Sequence, residues 1–324
     1  MTNAVLITGG AGFIGRSLIS KLIELNPDLH IRVLDNFSVG SPEDLQDVCS
    51  VQDWAGGIAA GVHIVRGDIR DFACVQAATE GVNCIVHLAA NTGVGPSVEE
   101  PRFDMESNVI GTLNMLEAAR HSGVKKFVFA SSGAPAGAVE PPIHEEIAPH
   151  PVSPYGASKL AGEGYCSAYY HSFGINTIAL RFGNVYGPNS AKKSSVVAKF
   201  IRQAMNDETC EIYGSGGQTR DYIYIDDLIS AIICAMQRPV GGEVFQIAVG
   251  AEVTLLELVE KIRASLIRYG IDMRVTNTDS RIGDVLRNYA DIRKAREVLG
   301  WEPQFDLQHG LDKTVEYFVV RSLN

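Results

Sequence analysis

The chain has 324 residues, and its 28 lysines and arginines against 38 aspartates and glutamates give a net charge of −10. Such an acidic balance argues against a surface that binds nucleic acid. The 46% hydrophobic and 20% charged residues are typical of a globular protein of one or two domains. No apolar run reaches the roughly 18 residues of a membrane span, and the first residues lack a signal-peptide core. We therefore expect no membrane partner.

Six cysteines are scattered along the chain, at Cys49, Cys74, Cys84, Cys166, Cys210 and Cys234. They form no C-x-x-C pair and have no histidines nearby, so the spacing indicates neither a zinc site nor a disulfide framework. We interpret them as reduced thiols in a cytoplasmic protein and expect no bound metal.

Short β-branched runs alternate with longer amphipathic segments over the first 180 residues. The pattern predicts strands at 4–8, 31–34, 63–65, 84–88, 126–130 and 176–180. It predicts helices that include 13–25, 98–121 and 154–172. This alternation indicates an α/β fold with a doubly wound parallel sheet. Residues 38–61, rich in Gly, Ser and Asp, are predicted to be a surface insertion.

After residue 181, glycine-containing loops mix with helices predicted near 195–205, 225–237, 255–269 and 292–299. We divide the chain into a first domain at 1–181, to which about 222–249 returns, and a smaller, partly interleaved α/β domain at 182–324. The returning segment includes a strand predicted at 243–248.

The first strand leads directly into residues 8–15, Thr-Gly-Gly-Ala-Gly-Phe-Ile-Gly, which open a helix. Gly9, Gly12 and Gly15 permit a tight turn and a close approach of the backbone to a pyrophosphate at the helix N-terminus. Asp35 follows 20 residues after Gly15, at the end of the second strand, where a carboxylate binds an adenosine ribose. An ordinary β–α loop and a turn at Asp35–Asn36 are the alternatives. The combination predicts a dinucleotide, and the carboxylate favours NAD over NADP.

Tyr155 and Lys159 are four residues apart and so lie on one face of a predicted helix. A nearby ammonium group favours the phenolate, so we expect the pKa of Tyr155 to fall toward neutrality and its oxygen to act as a general base. Ser131 and Ser132 end the fifth strand, at the carboxyl edge where the sites of open α/β sheets gather. Taken alone, a Tyr-x-x-x-Lys pair is more often a pair of surface residues, and a serine at a strand end is more often the cap of a turn.

The accompanying motifs resemble those of the extended short-chain dehydrogenase/reductases over nearly the whole chain. Besides 8–15, 131–132 and 155–159, they are 67–69 (Gly-Asp-Ile), 87–90 (His-Leu-Ala-Ala), Asn108 and 180–188 (Leu-Arg-Phe-Gly-Asn-Val-Tyr-Gly-Pro). The resemblance implies a Rossmann-like, NAD-binding domain at 1–181 and a substrate-binding domain at 182–324. The implied cofactor-binding residues are Gly9, Gly12, Phe13, Ile14, Gly15, Asp35, Asn36, Ser38, Asp68, Ile69, Leu88, Ala89, Ala90, Asn108, Ser131, Tyr155, Lys159 and Phe182.

Residues 217–223 (Gly-Gln-Thr-Arg-Asp-Tyr-Ile) and 281–284 (Arg-Ile-Gly-Asp) further resemble the nucleotide-sugar 4-epimerases, such as those acting on UDP-glucose and UDP-N-acetylglucosamine. The resemblance implies that Arg220 and Arg281 hold the substrate diphosphate, whose oxygens match the paired donors of guanidinium. Alone, each arginine is more often a surface ion-pair partner. The implied substrate-binding residues are Ser132, Tyr155, Asn184, Val196, Tyr213, Arg220, Arg281 and Asn288.

Departures from the family pattern narrow the reaction. The related sugar dehydratases and uronate decarboxylases carry an acid one or two positions after the catalytic Ser or Thr, whereas this chain continues Gly133-Ala134-Pro135. The Val-Tyr-Gly that usually closes the segment is Pro135-Ala136-Gly137 here, so the sugar loop is expected to differ. Asn288 stands seven residues beyond Arg281, where relatives that exclude N-acetyl sugars carry tyrosine. It favours N-acetylated or mixed substrates, unless it only caps a turn.

The resemblance implies an NAD-dependent UDP-sugar 4-epimerase with Ser132, Tyr155 and Lys159 as its catalytic residues. The 4-hydroxyl group is oxidised, the 4-keto sugar turns about its diphosphate linkage, and the hydride returns to the other face. The alternatives are a dehydratase, reductase or uronate epimerase of the same superfamily, and a catalytically inactive dinucleotide-binding regulator.

The helices at 98–121 and 154–172 correspond to a pair that forms a four-helix dimer contact in relatives. We therefore expect a homodimer, built on apolar residues of both helices unless these only pack on the sheet. They are Leu113, Leu116, Ala119, Leu160, Tyr165, Ala168 and Tyr169.

Overall fold

The computed structural model describes residues 4–279 and 286–322. The chain divides into two compact units. The first comprises Met1–Ala138, Glu145–Phe182 and Ile229–Phe245. The second comprises Val139–His144, Gly183–Leu228 and Gln246–Asn324.

The strands of the described residues are β1 (Ala4–Thr8), β2 (His30–Asp35), β3 (Val51–Asp53), β4 (Gly61–Arg66), β5 (Cys84–His87), β6 (Lys126–Ser132), β7 (Asn176–Phe182), β8 (Asn184–Tyr186), β9 (Cys210–Tyr213), β10 (Thr219–Arg220), β11 (Tyr222–Tyr224), β12 (Glu243–Ile247), β13 (Val253–Thr254) and β14 (Val275–Thr278).

The α-helices are α1 (Phe13–Leu25), α2 (Pro42–Gln46), α3 (Phe72–Thr79), α4 (Val94–Glu99), α5 (Pro101–Met105), α6 (Gly111–His121), α7 (Pro154–Phe173), α8 (Val196–Met205), α9 (Ile225–Gln237), α10 (Leu255–Leu266) and α11 (Leu307–Ser322). Short 3-10 turns lie at Ala134–Ala136 and Ile267–Tyr269, and π-helical turns at Glu106–Ile110 and Ala295–Leu299. None of the helices in the described ranges is long and apolar enough to cross a membrane.

Eight strands form one sheet in the order β12-β7-β6-β5-β1-β2-β4-β3. The pairs along it run parallel, for example β1 with β2 and β1 with β5. This confirms the predicted fold class and brings in all six strands predicted before residue 181. The order reverses between β1 and β5, and the crevice outside such a switch point is where open α/β sheets bind ligands.

Two strands extend the sheet beyond the six. The strand predicted at 243–248 forms β12 next to β7. At the other edge, β3 pairs with β4, so the segment predicted as a surface insertion at 38–61 contributes a strand and the helix α2. The sequence does not predict this strand, because β3 is only three residues long and its last two residues are exposed.

The core of the first unit explains the apolar strands. Every residue of β1 and β2 is buried, as expected for parallel strands covered on both faces. One core cluster unites the sheet residues Leu6, Ile85 and Phe127 with Leu116 of α6 and Tyr169 of α7. Burying side chains of this kind contributes roughly 1.5–3 kcal/mol each. This packing holds the carboxyl ends of β1, β5 and β6 in place.

The segment predicted as one helix at 98–121 is interrupted. Pro101 cannot supply the N–H that would continue α4, so α4 ends at Glu99 and Pro101 begins α5. A π-helical turn at Glu106–Ile110 then leads into α6 and contains Asn108. Turns of this type are frequent at functional sites.

The second unit contains three two-stranded sheets among its described residues. β8 and β11 pair in parallel, β9 and β14 pair in parallel, and β10 and β13 pair antiparallel. The helix α10 begins with a capping box in which Thr254 and Glu257 satisfy each other's backbone N–H groups.

Candidate active site

The turn after β1 forms a cradle that excludes side chains. Gly9 has φ of +68°, and a Cβ there would lie 2.8 Å from the backbone nitrogen of Ala89. A Cβ on Gly15 would lie 2.5 Å from the backbone of Gly9 and Gly10. Gly12 caps α1 without a side-chain hydrogen bond, and Phe13, Ile14 and Gly15 form its first turn. The predicted dinucleotide turn therefore presents main chain and a helix N-terminus, which suits a pyrophosphate.

Replacing Gly9 by alanine is expected to lower NAD affinity by about tenfold or more, because the backbone must shift both to relieve the contact with Ala89 and to leave the left-handed region. Gly174→Ala is the matched control. Gly174 has φ of +70°, but a Cβ there meets nothing within 4 Å. It should lose a little stability and keep NAD affinity, as measured by calorimetric titration. Equal affinities of the two variants would contradict the cradle.

Asp35 lies at the end of β2 with its carboxylate turned to the glycine turn. Its oxygens accept hydrogen bonds from the backbone N–H groups of Ala11 (2.9 Å) and Phe37 (2.8 Å). Burial raises the pKa of Asp35, and these two hydrogen bonds oppose the rise. The side-chain amide of Asn36 donates to Asp68 at 3.0 Å, and its side-chain oxygen Oδ1 accepts from the N–H of Ser38. Asp35 thus also organises the turn, the alternative role that the sequence left open.

Asp68 and Ile69 follow β4 on the same side of the sheet. Arg70 donates two side-chain hydrogen bonds to Asp68 and lowers the pKa of that carboxyl group to about 2. Ile69 is buried in the core. Asp68 and Arg70 also line a surface cavity of about 420 Å³.

The loop after β5 is tied to the glycine turn by a chain of hydrogen bonds. Thr112 donates to the carbonyl oxygen of Asn108 (2.6 Å), so it accepts from Nε2 of His87 (3.1 Å). Thr8 then donates to Nδ1 of His87 (2.7 Å) and accepts from the N–H of Ala89 (3.1 Å). Burial lowers the pKa of His87 to about 3, so the ring is neutral. Its tautomer is therefore determined by its partners.

The remaining predicted cofactor residues of this loop are Leu88, Ala90 and Asn108. Leu88 and Ala90 are half-buried, and the N–H of Leu88 donates to the carbonyl oxygen of Thr8. Asn108 is 1% exposed, and its side chain is engaged by Asn91 through both a donated and an accepted hydrogen bond. Asn108 therefore fixes the loop rather than presenting a free amide.

Ser132, Tyr155 and Lys159 meet at the carboxyl end of β6. Nζ of Lys159 lies 5.9 Å from the ring centre of Tyr155 and donates to the carbonyl oxygen of Ala130 at 2.8 Å. Ser153 caps α7 by accepting from Gly156, which sets the start of the helix that carries Tyr155 and Lys159.

The pKa values of this group differ from the expectation. Burial raises the pKa of Tyr155, while its hydrogen bond with Ser132 lowers it and the charge of Asp104 raises it. Burial lowers the pKa of Lys159 to about 8. The predicted fall of the Tyr155 pKa was therefore wrong in sign for the protein groups alone, because spacing along a helix does not report burial.

A buried ion pair beside this group was not foreseen. Arg181 of β7 donates to Glu163 of α7 through Nε and Nη2, both at 2.8 Å, and the side chains are 4% and 5% exposed. Ser131 donates to the same carboxylate at 2.6 Å. Glu163 lies four residues after Lys159, a spacing that could have drawn attention to it. The pair connects α7 to β6 and β7, and Phe182 ends β7 next to Arg181.

The second unit holds the other predicted substrate residues. Asn184 begins β8, and both its backbone N–H and its side-chain amide donate to the carbonyl oxygen of Asp221. Val196 begins α8, and Tyr213 ends β9 with its hydroxyl donating to Glu211.

Arg220 and Asn288 lie on neighbouring segments of the second unit. The N–H of Asn288 contacts the hydroxyl of Thr219 at 3.4 Å, while Arg220 follows Thr219 in β10. The carboxylate of Asp221 is buried and accepts from the N–H groups of Val249, Gly250 and Ala290 at 2.8, 2.9 and 3.2 Å. Asp221 therefore holds these backbone segments together, a role that the sequence motif at 217–223 did not indicate. Arg281 lies outside the described residues.

Comparisons with known proteins agree with this geometry. A family model, the NAD dependent epimerase/dehydratase family, matches residues 5–248. A UDP-glucose 4-epimerase of Mycolicibacterium smegmatis is 36% identical over 319 residues, 97% of each chain. The solved UDP-glucose 4-epimerase of Thermotoga maritima with UDP-glucose has a TM-score of 0.88 at 35% identity and covers 99% of this chain and 100% of that one.

Two further relatives are named for other substrates. A solved UDP-N-acetylglucosamine 4-epimerase of Methanobrevibacter ruminantium, in complex with UDP-N-acetylmuramic acid, has a TM-score of 0.88 at 30% identity and covers 99% of this chain and 100% of that one. The human dTDP-D-glucose 4,6-dehydratase is 28% identical over 323 residues, 97% of this chain and 89% of that protein.

NAD is the cofactor of this family, and the residues present fit it. The glycine cradle leaves main chain where a pyrophosphate approaches, and the carboxylate of Asp35 stands at the end of β2, where a ribose hydroxyl is bound in this fold. The family match, the parallel sheet and the group formed by Ser132, Tyr155 and Lys159 lead to one conclusion. The chain belongs to the NAD dependent epimerase/dehydratase family, as an extended short-chain dehydrogenase/reductase.

Proposed function

We propose that the protein is a UDP-sugar 4-epimerase. The observation that carries the proposal is the placement of Ser132, Tyr155 and Lys159 at the carboxyl end of β6, followed by a turn without an acid. Residues 133–136 read Gly-Ala-Pro-Ala, of which Ala134–Ala136 form a 3-10 turn, and they offer no carboxylate for eliminating water. Two UDP-glucose 4-epimerases share 36% and 35% sequence identity with this chain over 97% and 99% of its length, which supports the same reaction.

The chemistry follows from these side chains. The phenolic oxygen of Tyr155 takes the proton from the sugar 4-hydroxyl group and returns it after the sugar has turned. Ser132 bridges that hydroxyl group and Tyr155, and the ammonium group of Lys159 stabilises the phenolate. When bound, NAD supplies the site that accepts the hydride and gives it back.

The substrate diphosphate requires cations that the acidic chain provides locally. We assign this role to Arg220 and Arg281, with Asn184 near the same group. Tyr213 would pack near the base, and Val196 would contact the nucleotide. Arg220 donates to the carbonyl oxygen of Thr219 at 2.7 Å, which orients its guanidinium group beside β10.

Arg220→Ala is expected to raise the KM for the nucleotide sugar by about tenfold or more with a smaller effect on kcat, since a hydrogen bond to a charged group contributes roughly 1.5–3 kcal/mol. Arg287→Ala is the control, because Arg287 pairs with Glu252 on the surface. Steady-state kinetics of both variants test the assignment. An unchanged KM in Arg220→Ala would remove this residue from the diphosphate site.

The sugar preference is proposed from Asn288. Its side chain is smaller than the tyrosine expected in relatives that exclude N-acetyl sugars, so we propose that UDP-N-acetylglucosamine is accepted together with or in preference to UDP-glucose. A UDP-N-acetylglucosamine 4-epimerase among the similar structures is consistent with this preference.

The test uses the purified protein with each of these two sugars and no added cofactor. Chromatography should reveal the galacto-configured isomer while NADH absorbance stays constant, and the ratio of rates then tests Asn288. Loss of water would instead favour a dehydratase, the reaction of the human relative, and net oxidation of NADH would favour a reductase. Absence of any reaction with either sugar would contradict the proposed substrate class.

We also propose a homodimer, whose surface differs in part from the residues predicted for it. Leu116, Ala119 and Tyr169 are buried in the core and cannot form its surface. The exposed apolar side chains of this helix region include Val98, Phe103, Ile110 and Tyr165. Light scattering of wild type and Phe103→Glu tests this surface, since the charge should favour the monomer.

A further inference from the structure

A carboxyl group outside the predicted site lies close to the catalytic helix. Asp104 of α5 is 1% exposed. Its Oδ1 accepts from the side-chain amide of Asn108 at 3.0 Å. Its Oδ2 is buried and has no hydrogen-bond partner within the described part of the chain. Burying a carboxylate is unfavourable unless it is compensated by charge or hydrogen bonds, so its presence needs a reason.

Hydrogen bonds connect this carboxylate to α7. The amide nitrogen of Asn108 also contacts the hydroxyl oxygen of Ser158 at 3.1 Å. Ser158 precedes Lys159, and its hydroxyl donates to the carbonyl oxygen of Tyr155 at 3.0 Å. The amide nitrogen of Asn108 therefore lies within hydrogen-bond distance of both Asp104 and Ser158, and its two N–H groups are shared among these and Asn91. Through Asn108, Asp104 contacts the turn of α7 that carries both catalytic side chains.

The charges around Lys159 indicate a second connection. Its ammonium group is buried, which lowers its pKa to about 8, and the negative charges of Asp104 and Glu163 act in the opposite direction, Asp104 more strongly. Glu163 is already matched by Arg181 in a bidentate ion pair. Among the residues that the structure describes, Asp104 forms no such ion pair, and its negative charge is left to act on Lys159.

The other titratable groups that face Lys159 do not replace Asp104. His87 of β5 is neutral because burial lowers its pKa to about 3. Cys166 of α7 stays a thiol because burial raises its pKa. Around Asp104 itself, burial raises the pKa, while the side chains of Ser158 and Asn91 and the charge of Lys159 lower it.

We propose that Asp104 is a positioning residue of the epimerase reaction. Its carboxylate keeps Lys159 protonated and, through Asn108 and Ser158, holds the turn of α7 on which Tyr155 and Lys159 lie. The effect on turnover rests on the proposed function, whereas the effect on the protonation of Lys159 does not.

The decisive experiment titrates Lys159 directly. In protein carrying ε-carbon-labelled lysine, the Lys159 signal is assigned by its loss in Lys159→Arg and followed against pH by NMR. Asp104→Asn removes the charge at nearly constant shape and should lower the pKa of Lys159 by about one unit. Glu99→Gln is the control, since it removes an exposed acid from the neighbouring helix α4 and should leave this pKa unchanged.

Turnover against pH gives the second readout. The charge of Asp104 raises the pKa of both Tyr155 and Lys159. In Asp104→Asn both limbs of the profile should therefore move to lower pH, with about tenfold loss of rate on the alkaline side. Asp104→Glu should restore the profile and only part of kcat. A uniform loss without a shift would indicate a structural role only and overturn the proposal.

The failures of the two proposals are distinguishable. Inactivity of wild type with UDP-sugars contradicts the proposed function and leaves the NMR titration as the test of Asp104. An unchanged pKa of Lys159 in folded Asp104→Asn overturns the proposal for Asp104 alone. If Asp104→Asn does not fold, Asp104→Ser replaces it, because its smaller, uncharged side chain fits the same space.

Discussion

Tyr155→Phe should lower kcat by about 10²–10⁴-fold and leave NAD bound. The substitution removes only the hydroxyl group that exchanges the proton with the sugar, and general acid–base catalysis by one side chain contributes roughly this factor. The ring stays in place beside Lys159, so the cofactor side of the site is preserved. Turnover of UDP-sugar and the NAD content of the purified variant are the two measurements.

Tyr170→Phe is the control for this prediction. Tyr170 lies on the same helix α7 and its ring packs against the ring of His171. Loss of its hydroxyl group should leave kcat within about twofold of wild type. A Tyr155→Phe variant as active as Tyr170→Phe would exclude Tyr155 as the base.

Glu163→Gln is expected to have the largest effect on stability. The neutral side chain leaves the guanidinium group of Arg181 charged and buried, and breaking a buried pair in this way costs about 3–5 kcal/mol. The amide also replaces one carboxylate oxygen by an NH2 group, so the hydrogen bonds donated to that oxygen are lost, either from Nη2 of Arg181 or from Ser131 and Nε of Arg181. We expect the midpoint of thermal unfolding to fall by about 5–10 °C in calorimetry.

Two further variants serve as the control and the rescue for Glu163→Gln. Glu24→Gln breaks the exposed pair with Lys21 and should cost less than about 1 kcal/mol. Glu163→Gln combined with Arg181→Met removes both buried charges, so it should recover part of the lost stability. If Glu163→Gln melts no lower than Glu24→Gln, the pair does not stabilise the fold.

Most of the sheet could be predicted from the sequence because its strands are buried on both faces. The run at 4–8 coincides with β1, that at 31–34 lies one residue inside each end of β2, and that at 126–130 begins with β6 and ends two residues before it. The edge strand β3 was missed, since three partly exposed residues carry no hydrophobic periodicity. The break in 98–121 could have been inferred from Pro101, whose missing N–H ends a helix.

The site was predictable only in part, for a related reason. Glycine turns and the Tyr155–Lys159 spacing are local signals. Ser132 ends β6, and its hydrogen bond with Tyr155, near the start of α7, depends on the fold. Asp104, Glu163 and Arg181 act through burial and through partners that are distant along the chain. A carboxylate at position 104 or 163 reads in sequence as a solvated helix residue.

By itself, the sequence determined the α/β class, the positions of most strands along the chain, the dinucleotide turn and the family resemblance. Only the tertiary structure decided the protonation of the site: it raised the pKa of Tyr155, lowered that of Lys159 to about 8, and left Asp104 buried beside them. The physical reason is that hydrophobic periodicity and turn chemistry are properties of neighbouring residues. Desolvation and Coulomb interactions depend on which distant side chains surround a group once the chain has folded.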